Sequence, residues 1–196
     1  MELSHVISDS VLAATSLYVF FRYLIKLDLS STILWESFVL SVAGAAIFGA
    51  IRFAGFEQAG LASMFFQKIA TITGSVGLIG ASFSLASGIP LKRIFVYLLL
   101  SLGFVLFAVS EGFGFKAIAE FMPIMAMTVV VIMGVFALTK GNVKIGFWMI
   151  AGVIFFGLAT YRHLIFGKGE MSIDVFHYLT AAGILSLGMA VSGSEN

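Results

Sequence analysis

The feature that most constrains this chain is a series of long apolar runs, separated by short breaks that carry most of the charges. Only 11% of the 196 residues are charged, whereas a soluble domain carries roughly 25%. So few charges cannot cover a globule with polar surface. Each run is long enough for the ~20 apolar residues that a transmembrane helix needs, and too long for the roughly ten-residue alternating strands of a membrane barrel. We therefore predict an integral membrane protein.

The breaks between the runs predict an all-α, polytopic transmembrane helix bundle with seven spans. We expect one domain over residues 1–196, with no separate soluble part. The predicted spans are 6–26, 33–53, 60–87, 94–110, 117–139, 143–166 and 173–192.

The placement of Lys and Arg predicts an external N-terminus and an internal C-terminus, because short internal loops are enriched in positive charge. The cations expected inside are Arg22, Lys26, Lys92, Arg93, Lys140 and Lys144. Those expected outside are Arg52, Lys116, Arg162 and Lys168. The first run has no basic segment before it, and the chain contains no Asn-x-Ser/Thr sequon. Both features fit a protein of the bacterial inner (plasma) membrane.

Other features of the composition exclude several function classes. Cysteine is absent, which rules out disulfides, cysteine nucleophiles and thiolate metal sites. The net charge of +1 gives no basis for binding nucleic acid.

Ionisable side chains inside the spans are the main functional candidates, because a charge within the bilayer is costly and is retained for a reason. We predict that Asp9, Lys68 and Asp174 are catalytic, and that they converge with His177 in a polar pocket open to the outer leaflet. Lys68 needs a partner there, and Asp9 or Asp174 is the expected one. An ion-paired structural core is the alternative.

The histidines of the chain, His5, His163 and His177, all fall on the predicted outer side. Three imidazoles and a carboxylate are a complete ligand set for zinc, and a catalytic zinc site keeps one of its positions for a water molecule. Zinc-bound water loses a proton near neutral pH and becomes a nucleophile. The alternatives are a solvated His5, an interfacial His163, and a structural Asp174/His177 pair that is salt-bridged to Arg52, Lys68 or Arg162.

Small residues are concentrated in the second and third spans, where they allow helix backbones to approach closely. We expect these two spans to be the most buried. We expect them to meet through Gly44, Gly49, Gly74 and Gly77.

Seven helices, an external N-terminus and acids and histidines near helix ends resemble the CREST superfamily, which includes alkaline ceramidases and progestin/adiponectin-type receptors. The segments that carry the resemblance are Ser8-Asp9 in the first span and Asp174-x-x-His177 in the last. They are also similar to a family of uncharacterised bacterial seven-helix proteins. The resemblance to CREST implies a zinc site and hydrolysis of a lipid amide. The last helix of CREST proteins carries His-x-x-x-His, whereas position 181 is Ala181 here.

Three functions remain open from the sequence. The first is a metal-dependent hydrolase of a membrane lipid amide or ester. The second is a non-catalytic subunit or lipid-binding protein that assembles as a homo-oligomer or with other membrane chains. The third is a small proton-coupled transporter.

Overall fold

A computed structural model of the protein describes residues 2–167 and 169–193. Lys168, one of the expected external cations, lies outside the described residues. Within them all regular structure is helical. The elements are α1 (Leu3–Arg22) with a 3₁₀ turn (Leu24–Lys26), α2 (Leu29–Phe53), α3 (Ala59–Ile69), a π-helical segment (Ala70–Gly74), α4 (Ser75–Ser87), α5 (Arg93–Phe113), α6 (Lys116–Thr139), α7 (Val143–Tyr161), α8 (His163–Phe166) and α9 (Glu170–Ser192).

Seven of these helical stretches are long and apolar enough to cross a membrane, which confirms the predicted bundle of seven spans. The third span is continuous over Ala59–Ser87, since α3, the π-helical segment and α4 follow one another without a break. The sixth span ends at Tyr161 rather than at 166, because the chain turns at Arg162 before the short helix α8. The protein is an integral membrane protein with one helical bundle.

The second span begins earlier than predicted, at Leu29, because Asp28 caps it. The Asp28 carboxylate accepts hydrogen bonds from the backbone N–H groups of Ser30 at 2.9 Å and Ser31 at 3.2 Å. The Ser31 hydroxyl adds a third at 2.6 Å. Slight burial opposes ionisation, but these hydrogen bonds together lower the pKa of the Asp28 carboxyl.

Helix α1 packs between α2 and α9, and α9 packs on α7. Helix α6 packs against both α7 and α4. Helix α5 is peripheral: 17% of its most apolar stretch is buried, against 67% for the third span. The second and seventh spans are each 50% buried. The prediction that the second and third spans are the most buried is therefore confirmed for the third, while the second ranks equal with the seventh.

The predicted small-residue interface between the second and third spans is confirmed at three of its four glycines. A Cβ atom on Gly74 would lie 3.0 Å from the Cα atom of Phe38, and one on Gly77 would lie 2.6 Å from the Leu34 carbonyl oxygen. Gly44 lies under the ring of Phe66, and a Cβ atom on Gly44 would lie 2.9 Å from Cδ1 of that ring. Gly49 was assigned to the wrong neighbour, because it faces α1.

Candidate functional site

Polar side chains of α1 and α9 meet at the end of the bundle where both helices begin. His5, Ser8 and Asp9 are buried and share one face of α1, since residues three and four apart lie side by side on a helix. Asp174 and His177 are three apart on α9, the helix that packs against α1. The two helices thereby bring the five side chains together as one polar cluster.

Asp174 is the acceptor at the centre of the first part of the polar cluster. Its Oδ1 atom lies 2.7 Å from Nδ1 of His5. The Ser8 hydroxyl donates to the same oxygen, also at 2.7 Å. Two residues of α1 therefore bind one carboxylate of α9.

Ser8 also connects Asp174 to the second part of the polar cluster. Its Oγ atom lies 2.9 Å from Nδ1 of His177. The other ring nitrogen, Nε2 of His177, lies 3.4 Å from Oδ1 of Asp9. Ser8 is fully buried and Asp9 is 4% exposed, so these contacts are shielded from solvent.

The Asp9 carboxylate rests on the backbone of α2 at Gly49. A Cβ atom at Gly49 would lie 2.6 Å from Oδ2 of Asp9, well inside van der Waals contact. Glycine is therefore the residue that lets the carboxylate lie in this place.

A cavity of about 790 Å³ extends from the polar cluster along the bundle and is open on one side, where exposed residues such as Ile124, Thr160 and Tyr161 line it. Asp9 and His177 line one end of it, and apolar side chains of the second, fifth and sixth spans line most of the remainder. Along α6 the lining runs from Glu120 to Val131, a rise of roughly 16 Å. The cavity is thus long, apolar and headed by an acid–base pair.

Thr180 lines this cavity one helical turn beyond His177, and its hydroxyl oxygen is itself buried. The residue is 7% exposed, and among the described residues Oγ1 has no hydrogen-bond partner. Leaving a buried hydroxyl unpaired costs about 1–3 kcal/mol.

Arg162 ties the start of α9 to the end of α7 beside the cavity. Its Nε–H donates to the Ser172 carbonyl at 2.7 Å, and an NH1 hydrogen is donated to the Ala159 carbonyl at 2.9 Å. The guanidinium lies over the ring of Phe176, 4.5 Å from the centroid, and Phe176 lines the cavity. Burial lowers the pKa of Arg162.

The three histidines predicted to bind zinc are not all brought together. His163 is exposed on α8, and no described contact joins it to the polar cluster. His5 and His177 direct their ring nitrogens at carboxylates and at Ser8. Among residues 2–167 and 169–193, no group of three or more His, Cys, Asp or Glu residues is arranged to hold a metal ion.

Lys68 is also placed differently from the prediction. It forms its ion pair with Glu111 of α5, and both side chains are well exposed at the surface of the bundle. The expected pairing of Lys68 with Asp9 or Asp174 was therefore wrong. Asp9, Asp174 and His177 do come together.

Sequence reasoning missed the central position of Ser8, the contact of Gly49 with Asp9 and the place of Thr180 in the cavity wall. A helical-face argument could have found two of them. Ser8 lies three residues from His5, and Thr180 lies three residues from His177, so each shares a face with a predicted site residue. The contact of Gly49 depends on which helices are neighbours.

These features define the class: a seven-helix integral membrane protein with a buried polar cluster at the head of a largely apolar cavity. Comparison with protein-family models, with curated proteins and with solved structures gives no match to this chain.

Proposed function

We propose that the protein binds a membrane lipid, with an acyl chain in the cavity and the polar linkage of the lipid beside Asp9, His177 and Thr180. The observation that carries the proposal is the cavity itself. Its volume of about 790 Å³ falls in the range of ligand pockets, roughly 300–1,000 Å³.

The chemistry of the lining supports a lipid over a polar solute. Side chains such as Leu12, Phe38, Met127 and Val153 surround most of the cavity and offer an acyl chain only apolar contacts. Polar groups at the Asp9 end can accept or donate hydrogen bonds to an ester or amide. In the predicted orientation, this end lies in the outer leaflet of a bacterial inner membrane.

Gly157 offers a direct test, because it lines the cavity and has open space where a Cβ atom would be. We expect Gly157→Leu to fill part of the cavity without a backbone clash. The matched control is Gly112→Leu on α5, where a Cβ also meets open space but which does not line the cavity. Wild type and both variants would be purified in a mild detergent, washed to remove loosely bound lipid, and analysed by native mass spectrometry.

The wild type and Gly112→Leu are expected to retain a lipid that Gly157→Leu loses. Equal retention by all three proteins would contradict lipid binding in the cavity.

Hydrolysis of an ester or amide in the bound lipid is the second candidate function. The observation that favours it is that Asp9 and His177, an acid and a base in contact, both line the cavity. Such a pair can take a proton from a water molecule as the water attacks a carbonyl carbon, and return it to the leaving group. General acid–base catalysis of this kind contributes about 10²–10⁴-fold.

This candidate is tested with acyl esters and amides that release a fluorescent alcohol or amine. We expect His177→Ala to lower the rate about 100-fold or more. His163→Ala, which changes the exposed histidine of α8, should retain the wild-type rate. Metal chelators should have no effect. Equal rates for wild type and His177→Ala would leave lipid binding as the function.

A further inference from the structure

A continuous series of polar contacts leads from the cavity to the surface of the bundle. It begins at Asp9, which lines the cavity and is 4% exposed. It ends at Glu2, whose side chain is 55% exposed. The members in order are Asp9, His177, Ser8, Asp174, His5 and Glu2.

We propose that this series is a proton relay between the cavity and the aqueous face at the N-terminal end of the bundle. Chains of Asp, Glu and His inside membrane proteins are typical of proton transfer. The relay does not depend on the identity of the molecule in the cavity, nor on whether the protein hydrolyses it.

The single proton of the Ser8 hydroxyl defines the resting state. Ser8 donates it to Oδ1 of Asp174. The contact of 2.9 Å between Ser8 and His177 then requires that Nδ1–H of His177 donates to Ser8. Nε2 of His177 is left to share one further proton with Asp9 across 3.4 Å.

In the first stage, one proton moves outward from Asp9 to Asp174. Asp9 gives a proton to Nε2 of His177, and His177 gives its Nδ1 proton to Oγ of Ser8. Ser8 gives its own hydroxyl proton to Oδ1 of Asp174. His177 ends as the opposite tautomer, and no group gains more than one proton.

In the second stage, a proton leaves His5 for the surface. Nδ1–H of His5 already donates to Oδ1 of Asp174 at 2.7 Å, so His5 takes part as the imidazolium, with a second hydrogen on Nε2. Once Asp174 has received the proton from Ser8, the imidazolium loses its negative partner. His5 releases the proton on Nε2 to the carboxylate of Glu2, across 3.5 Å. Glu2 is held in place by a backbone hydrogen bond, since its N–H donates to the Phe53 carbonyl at 3.3 Å.

The spacing of the contacts divides the relay into a connected centre and two looser ends. The three central contacts, at 2.7–2.9 Å, are hydrogen bonds by distance. The contacts at Asp9 and at Glu2, 3.4 and 3.5 Å, must shorten before a proton can cross. Proton exchange is therefore gated where the relay meets the cavity and the water.

Aromatic rings cover both histidines of the relay, whereas Asp174 is 17% exposed and also accepts a hydrogen bond from Ser4. The ring of Phe53 covers His5 at 4.8 Å between centroids, and the ring of Phe176 lies 5.6 Å from that of His177. The charged groups that face the relay from neighbouring elements are Arg52 of α2, whose field acts on Asp9, and Arg162, whose field acts on His177. Arginine stays protonated in proteins and cannot relay a proton.

The test is a pH jump on the protein in nanodiscs, followed by time-resolved infrared spectroscopy. The carboxyl band of Asp9 is identified by its loss in Asp9→Asn. We expect Ser8→Ala to slow the response of this band at least about tenfold, which corresponds to ~1.4 kcal/mol in the barrier. Asp174→Asn keeps the shape of the side chain and is also expected to slow the response of the Asp9 band. His163→Ala is the control and should respond as the wild type does.

A wild-type rate in Ser8→Ala would overturn the relay, because protons would then reach Asp9 from the cavity side. If Ser8→Ala does not fold, as judged by circular dichroism, the Asp174→Asn variant provides the test of the relay. A wild-type rate in a folded Asp174→Asn would equally overturn the proposal.

Discussion

The carboxylate of Asp9 lies against the backbone of Gly49, so close that a Cβ atom on Gly49 would fall 2.6 Å from Oδ2. The contact joins α1 to α2 and aims Asp9 at His177, which lies on α9. Three helices are thus held in register at the head of the cavity by a residue without a side chain.

Replacing Gly49 by Ala should displace Asp9 from His177, because the added methyl group occupies the place of the carboxylate. Overpacking of this kind costs about 1–3 kcal/mol. We expect a lower apparent melting temperature for the detergent-solubilised protein and a loss of retained lipid. Gly112→Ala is the matched control, since a Cβ there meets open space and alanine favours the helix by about 1 kcal/mol. Equal melting temperatures for Gly49→Ala and wild type would show that Asp9 can move at no cost.

Removing the cap of α2 should destabilise the protein without affecting the cavity. Asp28→Ala leaves the N–H groups of Ser30 and Ser31 unpaired, and the loss of an N-cap costs ~1 kcal/mol. Asp28→Asn retains a hydrogen-bond acceptor and should lose only a small part of this stabilisation. Thermal unfolding of both variants gives the comparison, and an unchanged Asp28→Ala would contradict the capping role.

The same cap predicts a dependence on pH. Because the pKa of Asp28 in the folded protein lies below its ordinary value of 3.8, folding favours the ionised form. The stabilisation is complete at neutral pH and is lost as the pH falls below the ordinary value and through the folded pKa. We expect the difference in stability between wild type and Asp28→Asn to shrink on acidification. A stability difference between wild type and Asp28→Asn that stays constant down to about pH 3 would contradict this pH dependence.

The hydrogen-bond directions around Ser8 predict the protonation of His177. Since Ser8 donates to Asp174, Nδ1 of His177 should carry a hydrogen. The chain has three histidines, so selective ¹⁵N labelling gives few signals, and each is assigned by substitution. Nitrogen chemical shifts should show a protonated Nδ1 for His177, and a bare Nδ1 would refute the assigned directions.

The orientation of the bundle remains a prediction of its cations. Reporter fusions after Lys92 and Lys140 should read as cytoplasmic, and a fusion after Lys116 should read as external. The reverse pattern would place the polar cluster and the Glu2 end of the relay on the inner side of the membrane.

The spans were predictable from the sequence because hydrophobicity and helix length alone decide what crosses a bilayer. Parts of the polar cluster were predictable too, since the spacing of His5 with Asp9 and of Asp174 with His177 places each pair on one helical face. Charge at bilayer depth marked these residues as needing partners.

The choice of partners was not predictable, because it depends on which helices are neighbours and on their rotation. Lys68 was expected to join the aspartates, but its helix directs it to Glu111 of α5. Gly49 was assigned to the third span by composition, and the packing of α1 on α2 gives it to Asp9 instead. Neither outcome follows from a periodicity within one segment.

The π-helical segment Ala70–Gly74 makes residue count, and not only residue type, a determinant of the cavity. A π turn accommodates one residue more than an α turn. Deleting one residue of this segment would restore the regular repeat and leave α4 close to its present orientation. Deleting one residue from the regular helix α3 would instead rotate α4 by roughly 100° relative to the start of the span. Gly77 would then no longer face Leu34, and Ser75 would leave the cavity wall. A single-codon deletion is therefore tolerated in the π-helical segment and reshapes the cavity when it falls a few residues earlier.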